Sequence, residues 1–164
     1  MTKGYVMRRL LIVIALVFAH TAVAGDFEDG VAAYKRKDYS TALAKFRSAA
    51  LQGSATAQYN IGFMYSNGLG VAQDYKEAVR WWRMAALQGF DHAQRDLGAM
   101  YWNGQGIAQD YVIAHMWFNI AATDGDKMSV ENRDIAARKM TPQQIEQAQR
   151  MARECMASNF KKCD

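Results

Sequence analysis

Apolar and small residues recur along this chain with a period much longer than a helical turn. Residues 57–89 read AQYNIGFMYSNGLGVAQDYKEAVRWWRMAALQG, and residues 93–125 read AQRDLGAMYWNGQGIAQDYVIAHMWFNIAATDG. The two segments align without a gap at an offset of 36 residues, Gly62 on Gly98, Tyr65 on Tyr101 and Trp81-Trp82 on Trp117-Phe118. Asn67-Gly68, Gly70, Asp74-Tyr75, Ala78, Ala85-Ala86 and Gly89 repeat in the same way. Self-similarity at such a period marks stacked supersecondary units, none of which can bury its apolar face alone. A shorter unit precedes them, with Asp38-Tyr39, Ala42, Phe46, Ala49-Ala50 and Gln52-Gly53 standing 36 residues before their counterparts. Only eight residues separate Gly30 from Asp38, against twelve between Gly62 and Asp74; the Asn-Gly-x-Gly loop is what is missing.

Each unit predicts two helices. Ser54 can cap a helix running to about Ser66, since a side-chain oxygen there satisfies an amide of the first turn. The two glycines between Asn67 and Gln73 predict a loop. Asp74 followed three residues later by Glu77 predicts a capping box, and Gly89 a left-handed stop. Asp91, Asp110 and Gly125 take these roles in the next unit, without the capping box, since Ile113 stands where Glu77 does. Gly62 and Ala78 fall inside helices, where Gly costs about 1 kcal/mol relative to Ala; close helix approach accounts for such residues recurring. Beyond Gly125 the period decays. Lys127 to Lys139 predicts a helix with Val130, Ile135 and Ala136 as its apolar positions. Thr141-Pro142-x-Gln144 opens another, running to about Ala157 and burying Ile145, Ala148, Met151, Ala152 and Cys155. The expected fold is therefore all-α, a right-handed superhelix of about seven helices. Its units fall at about 26–53, 54–89 and 90–125, its capping helices at 126–158 and a tail at 159–164.

The first 24 residues stand apart from this pattern. Lys3, Arg8 and Arg9 precede the apolar run Leu10 to Ala19, and Ala22-Val23-Ala24 is a small-x-small cleavage site. This is the order of a secretory signal peptide. An apolar run of about ten residues is too short for a bilayer span, which takes roughly 20. A periplasmic or secreted chain beginning after Ala24, with no membrane span of its own, is expected. The leader also carries the charge excess. The whole chain holds 20 Lys and Arg against 16 Asp and Glu; without the three leader cations, 17 face 16. That balance gives no basic stripe for nucleic acid. Cys155 and Cys163 follow the repeats. In an oxidising compartment they either pair, the favoured reading, or remain two free thiols.

These residues resemble the Sel-one-like repeats, relatives of the tetratricopeptide repeat. The family pattern runs roughly A-x-x-x-L-G-x-x-Y-x-x-G-x-G-V-x-x-D-x-x-x-A-x-x-W-[YFW]-x-x-A-A-x-x-G. Residues 57–89 and 93–125 follow it with mild departures, Ile61 for Leu and Ile107 for Val. Residues 27–53 are closer to a plain tetratricopeptide unit. The ending Lys139-Met140-Thr141-Pro142-Gln143-Gln144-Ile145 is similar to the closing helix of small exported bacterial members. The resemblance implies a protein–protein interaction module or adaptor of the cell envelope. Cysteine-rich relatives imply a second class, an envelope hydrolase acting on β-lactams or cell-wall fragments. Those relatives staple each repeat with a cysteine pair, and this chain has no cysteine in any repeat.

The residues themselves give no catalytic set. His92 and His115 lie in different helices without a ligand at metal spacing, the Gly-x-Gly stretches lack the phosphate-binding lysine, and no nucleophile sits beside a base. No enzyme, metal or cofactor is expected. The partner is expected to be a protein or peptide, held in a groove lined by the first helix of each unit. The tetratricopeptide register puts Phe27 and Tyr34, Tyr59, Phe63 and Asn67, and Arg95, Trp102 and Asn103 in that groove. Tyr59 answers to Arg95, Phe63 to Ala99 and Ser66 to Trp102. Variation inside a strict repeat points to solvent or ligand, although Phe63 and Trp102 can also be read as packing on the neighbouring unit.

Overall fold

The structure, a computed structural model, describes residues 25–123 and 125–163. The leader at 1–24 lies outside the described residues. Those described form eight helices and no strand: α1 (25–35), α2 (Tyr39–Leu51), α3 (Ala55–Asn67), α4 (Tyr75–Ala86), α5 (Asp91–Asn103), α6 (Tyr111–Ala121), α7 (Lys127–Ala137) and α8 (Pro142–Ala157). They stack as an all-α superhelix of helix pairs. The pairs are α1–α2, α3–α4 and α5–α6, followed by α7 and α8.

Most helix starts follow local chemistry. The side chains of Asp38, Ser54, Asp74, Asp110 and Asp126 each accept from first-turn amides of α2, α3, α4, α6 and α7. Thr141 and Gln144 form a reciprocal capping box behind Pro142. Two expectations are corrected. Glu77 does not reach back to its cap but holds Arg80 at 2.5 Å. Asp91 is not the cap of α5 but its first residue; the cap position is Phe90, which has no side-chain bond to offer. The period explains this, because Phe90 stands 36 residues after Ser54.

Within each unit, a glycine of the first helix lies beneath an aromatic ring of the second. A Cβ built on Gly30 would lie 2.8 Å from Phe46, on Gly62 2.6 Å from Trp82, and on Gly98 2.8 Å from Phe118. Only a missing side chain lets the two helices close to that distance. Phe46, Trp82 and Phe118 are almost wholly buried there, and burying a phenylalanine contributes about 1.5–3 kcal/mol.

Between units the contacts also repeat. Arg47 Nη2 donates to the Tyr65 hydroxyl at 2.6 Å, and Arg83 donates to Tyr101. Gln58 Nε2 donates to the Ala50 carbonyl at 3.4 Å and Gln94 Nε2 to the Ala86 carbonyl at 3.2 Å. Each glutamine thus adds a second donor to a carbonyl at the end of the preceding unit, which also accepts from the backbone N–H of Gly53 or Gly89. Gly70 and Gly106, at φ +70° and +71°, press on the backbone of Tyr39 and Tyr75; an added Cβ would stand 2.6 and 2.4 Å from it.

The two ends differ from this interior. At the N-terminal end, Lys45 binds Asp26 and Asp29 at 2.9 Å each, and Ser48 donates to Asp26 at 2.6 Å. Those hydrogen bonds, Ser48 first, hold the Asp26 carboxyl below its usual range. At the other end, α7 and α8 both pack on α6 and do not form a close hairpin with each other. Ile135, expected in the core, is 39% exposed; α7 buries only Ser129 and Ala136. In α8, Ala148, Ala152 and Cys155 are buried while Ile145 and Met151 are partly so. Cys155 and Cys163 are joined by a disulfide.

Candidate functional site

The side chains expected in one groove divide into three sets. Phe27 and Tyr34 are used inside the first unit, Phe27 against Phe46 (ring centroids 5.7 Å) and Tyr34 against Tyr39 (5.4 Å). Tyr59 and Arg95 join units. Phe63, Asn67, Trp102 and Asn103 lie nearer the C-terminal ends of α3 and α5.

Tyr59 is half-buried. Its hydroxyl donates to Asp96 Oδ2 at 3.1 Å, and its ring lies 5.2 Å from Phe90 and 6.0 Å from His92. Burial, with the Asp96 charge second, pushes its phenol up to about 12. Burial likewise raises the Asp96 carboxyl, partly countered by Arg95. Arg95 reaches Asp96 at 3.4 Å and Asp126 at 3.6 Å, with 17% of its side chain exposed. Asp126 is at the same time the cap of α7, accepting from Ser129 N at 2.9 Å and Ser129 Oγ at 2.6 Å. The equivalent residues Tyr59 and Arg95 therefore each clasp the next first helix. The expectation of free side chains is corrected at both: residues they contact in the next unit are equally variable.

Phe63 is half-buried against the core. Asn67 is exposed, but its amide donates to the Phe63 carbonyl at 2.8 Å and Ser66 Oγ at 2.9 Å, bound to its own helix end. Trp102 leans on Tyr111, ring centroids 4.8 Å apart, and keeps one side exposed beside Asn103. Those two residues, with Ala99, form one wall of a cleft of about 300 Å³; Phe118 is the floor, and Asn132 and Ile135 of α7 the far wall. The cleft runs between α5 and α7, the first helix of the third unit and the helix in the equivalent place beyond it. Sequence reasoning missed Phe118, Asn132 and Ile135. One signal was available: Ile135 stands 36 residues after Ala99.

What the cleft can offer chemically is shape and hydrogen bonding. An indole, a phenyl ring and an isoleucine line the recess, with two side-chain amides on its rim. Among the described residues no group of three or more His, Cys, Asp or Glu is arranged to hold a metal ion. His115, behind the cleft on α6, is buried with Nδ1 lacking a hydrogen-bond partner. Burial, and then the charge of Arg133, lowers its pKa.

The Sel1 repeat pattern matches residues 55–90 and 91–126, the second and third units. A crystal structure of a Sel1 repeat protein from Oxalobacter formigenes is 30% identical, with a TM-score of 0.65, covering 77% of this chain and 98% of that one. The chain belongs to the Sel1 repeat family. A protective antigen of uropathogenic Escherichia coli that displays an SLR fold is 32% identical, with a TM-score of 0.77, over 84% of this chain and 31% of that one. The ERAD-associated E3 ubiquitin-protein ligase component HRD3 of Candida glabrata is 49% identical over 49 residues, 30% of this chain. This chain spans only 5% of that protein's length. Sel1 repeat proteins generally serve as protein-interaction modules, and no helix among the described residues is long and apolar enough to cross a membrane.

Proposed function

We propose that this Sel1 repeat protein is an exported binding module. Its cleft between α5 and α7 takes an extended segment of a protein or peptide partner, without catalysis. The observation that carries this reading is the pairing of an apolar recess of about 300 Å³ with the rim amides of Asn103 and Asn132. Neither amide has a hydrogen bond to another described residue, whereas the equivalent Asn67 is committed to its own helix. An extended segment offers one side chain to such a recess and main-chain N–H and C=O groups to the amides. A half-exposed tryptophan at the centre suits an interface anchor. Export rests on the leader: the charged start, apolar run and Ala22-Val23-Ala24 support a mature chain beginning at Gly25 in the periplasm or medium.

The experiment is capture of partners from an envelope extract with the mature protein, followed by affinity measurement on Trp102→Ala and Asn103→Ala. Loss of about 2 kcal/mol or more is expected for Trp102→Ala, the scale of an anchor residue. Two variants that stay helical by circular dichroism and bind like the parent would refute the cleft. N-terminal sequencing of the fractionated protein tests export, and turnover of nitrocefin would argue for the hydrolase reading instead.

A further inference from the structure

The disulfide closes a short tail onto a place that is distant from it in sequence. After α8 ends at Ala157, Ser158 Oγ donates to the Cys155 carbonyl at 2.8 Å. It also accepts from Lys161 N at 3.1 Å and Lys162 N at 3.0 Å. Asn159 and Phe160 are both left-handed, at φ +54° and +62°. For a bulky residue such as phenylalanine that conformation is strained, and it persists where the surroundings impose it. Here the chain folds back, Phe160 N donating to the Cys155 carbonyl at 2.9 Å and the Cys155–Cys163 bond keeping the two Cα atoms 4.6 Å apart.

The result of this turn is the position of the Phe160 ring. It lies against Gly89 in the turn between α4 and α5; a Cβ added there would meet the ring at 3.2 Å. The ring is one wall of a recess of about 260 Å³ whose apolar lining includes Ile120, Ala121 and Met156. The tail therefore bridges the cap helix and the junction of the second and third units. Gly89, at φ +82°, supplies both the turn and the flat seat for the ring.

We propose that the tail is a strap set by oxidation: forming the Cys155–Cys163 bond seats Phe160 on Gly89 as a wall of the recess, and the dithiol form lets that wall swing away and uncovers the turn at 87–90. Closure is a thiol–disulfide exchange with a disulfide oxidant. The two cysteines give up two protons and two electrons, one S–S bond forms, and the oxidant's S–S bond is reduced to two thiols. Without the ring closure the turn is held only by hydrogen bonds, Phe160 N to the Cys155 carbonyl at 2.9 Å and the Ser158 contacts, and the Phe160 ring leaves Gly89 more readily. The turn at 87–90, whose Gly89 N and Phe90 N donate to Ala86 O and Ala85 O, then loses its cover.

Hydrogen exchange of the full mature chain tests the strap, comparing protein oxidised with glutathione disulfide, the double variant Cys155→Ser with Cys163→Ser, and Phe160→Ala with its disulfide intact. Peptides spanning 85–94 are expected to exchange about tenfold faster in both variants, as a local opening does, while those spanning 55–67 stay unchanged. Protection at 85–94 that matches the parent in either variant would overturn the proposal. So would faster exchange throughout the chain in the cysteine variant, which would make the bond a global staple, and so would finding no bond after oxidation.

Discussion

The junction between the first and second units and that between the second and third share three kinds of contact. The junction between the third unit and the cap shares none of those contacts. Arg47–Tyr65 recurs as Arg83–Tyr101, but the next pair of positions holds Asn119 and Ala137. The glutamine that reaches back to a carbonyl, Gln58 and then Gln94, becomes Val130. The glycine that presses on the preceding unit, Gly70 and then Gly106, becomes Pro142 at the start of α8. What joins the cap is of another kind: Arg95 on Asp126, the packing of α8 on α6, and the disulfide-bound tail. The difference teaches where a stack of helix pairs leaves a gap. Where polar contacts close the space between first helices, as Tyr59 and Asp96 do, side chains face each other. Between α5 and α7 the polar contact of Arg95 with Asp126 lies at the start of α7, and beside Trp102 and Asn103 a cleft stays open.

The comparison breaks most visibly in the core beneath it. Trp82→Ala removes the ring that sits on Gly62 and is expected to cost about 3–5 kcal/mol. Ile135→Ala, on the partly exposed wall of the cleft, should stay within about 1 kcal/mol. Urea unfolding of the two variants decides this, and equal losses would mean that the cap is as tightly packed as the repeats.

A finer test sets two glycines against each other. Gly106→Ala puts a Cβ 2.4 Å from the Tyr75 backbone, whereas Gly125→Ala meets nothing within 4 Å; both positions have positive φ. Each shares a left-handed penalty of about 1–2 kcal/mol, so the difference isolates the contact between units. Gly106→Ala is expected to be worse by about 1–3 kcal/mol in thermal melts. A smaller difference would mean the loop can move away from the preceding unit at little cost.

The polar contacts should yield less. A double-mutant cycle of Arg83→Met and Tyr101→Phe is expected to show coupling of about 0.5–1.5 kcal/mol. No coupling would leave the packing alone to set the register between units. Smallest is a pH effect on the cap side. The pKa of His115 is lowered from 6.5 by burial, so the unfolded chain binds its proton more readily than the folded one. Stability is then full above pH 6.5 and declines as pH falls through that value toward the lower folded one. In His115→Gln the decline should vanish above the carboxylate range; an unchanged pH profile would assign it to other groups.

Much of the fold was legible because a repeat states each rule more than once. Gly62 and Gly98 stand out as glycines kept inside helices, and the rings lying over them explain why. Asp74, Asp110 and Thr141 announce their helices through capping oxygens that act within a few residues. The site was less legible because it depends on contacts between units. Tyr59 and Arg95 look free when units are aligned, since each varies. Their partners Asp96 and Asp126 vary as well, and alignment within one chain cannot distinguish a variable surface from a variable contact. Ile135 carries a core pattern on α7, but no fourth helix pair closes over it, so it becomes the wall of a cleft. Asp91 fails as a cap through a shift of one residue, the unit's cap position being occupied by Phe90.

Residues 54–89 hold both halves of a joint: Gln58, Tyr65 and Gly70 face the preceding unit, and Tyr75, Arg83 and Ala86 face the following one. A copy of this segment spliced in after Gly89 would meet its original through the same matched halves, Arg83 with the copied Tyr65 and Ala86 with the copied Gln58. The segment is thus a cassette that carries its own connectors. Duplication in register lengthens the protein by one whole step without a new interface having to be invented, which is how such an array can grow like a ruler.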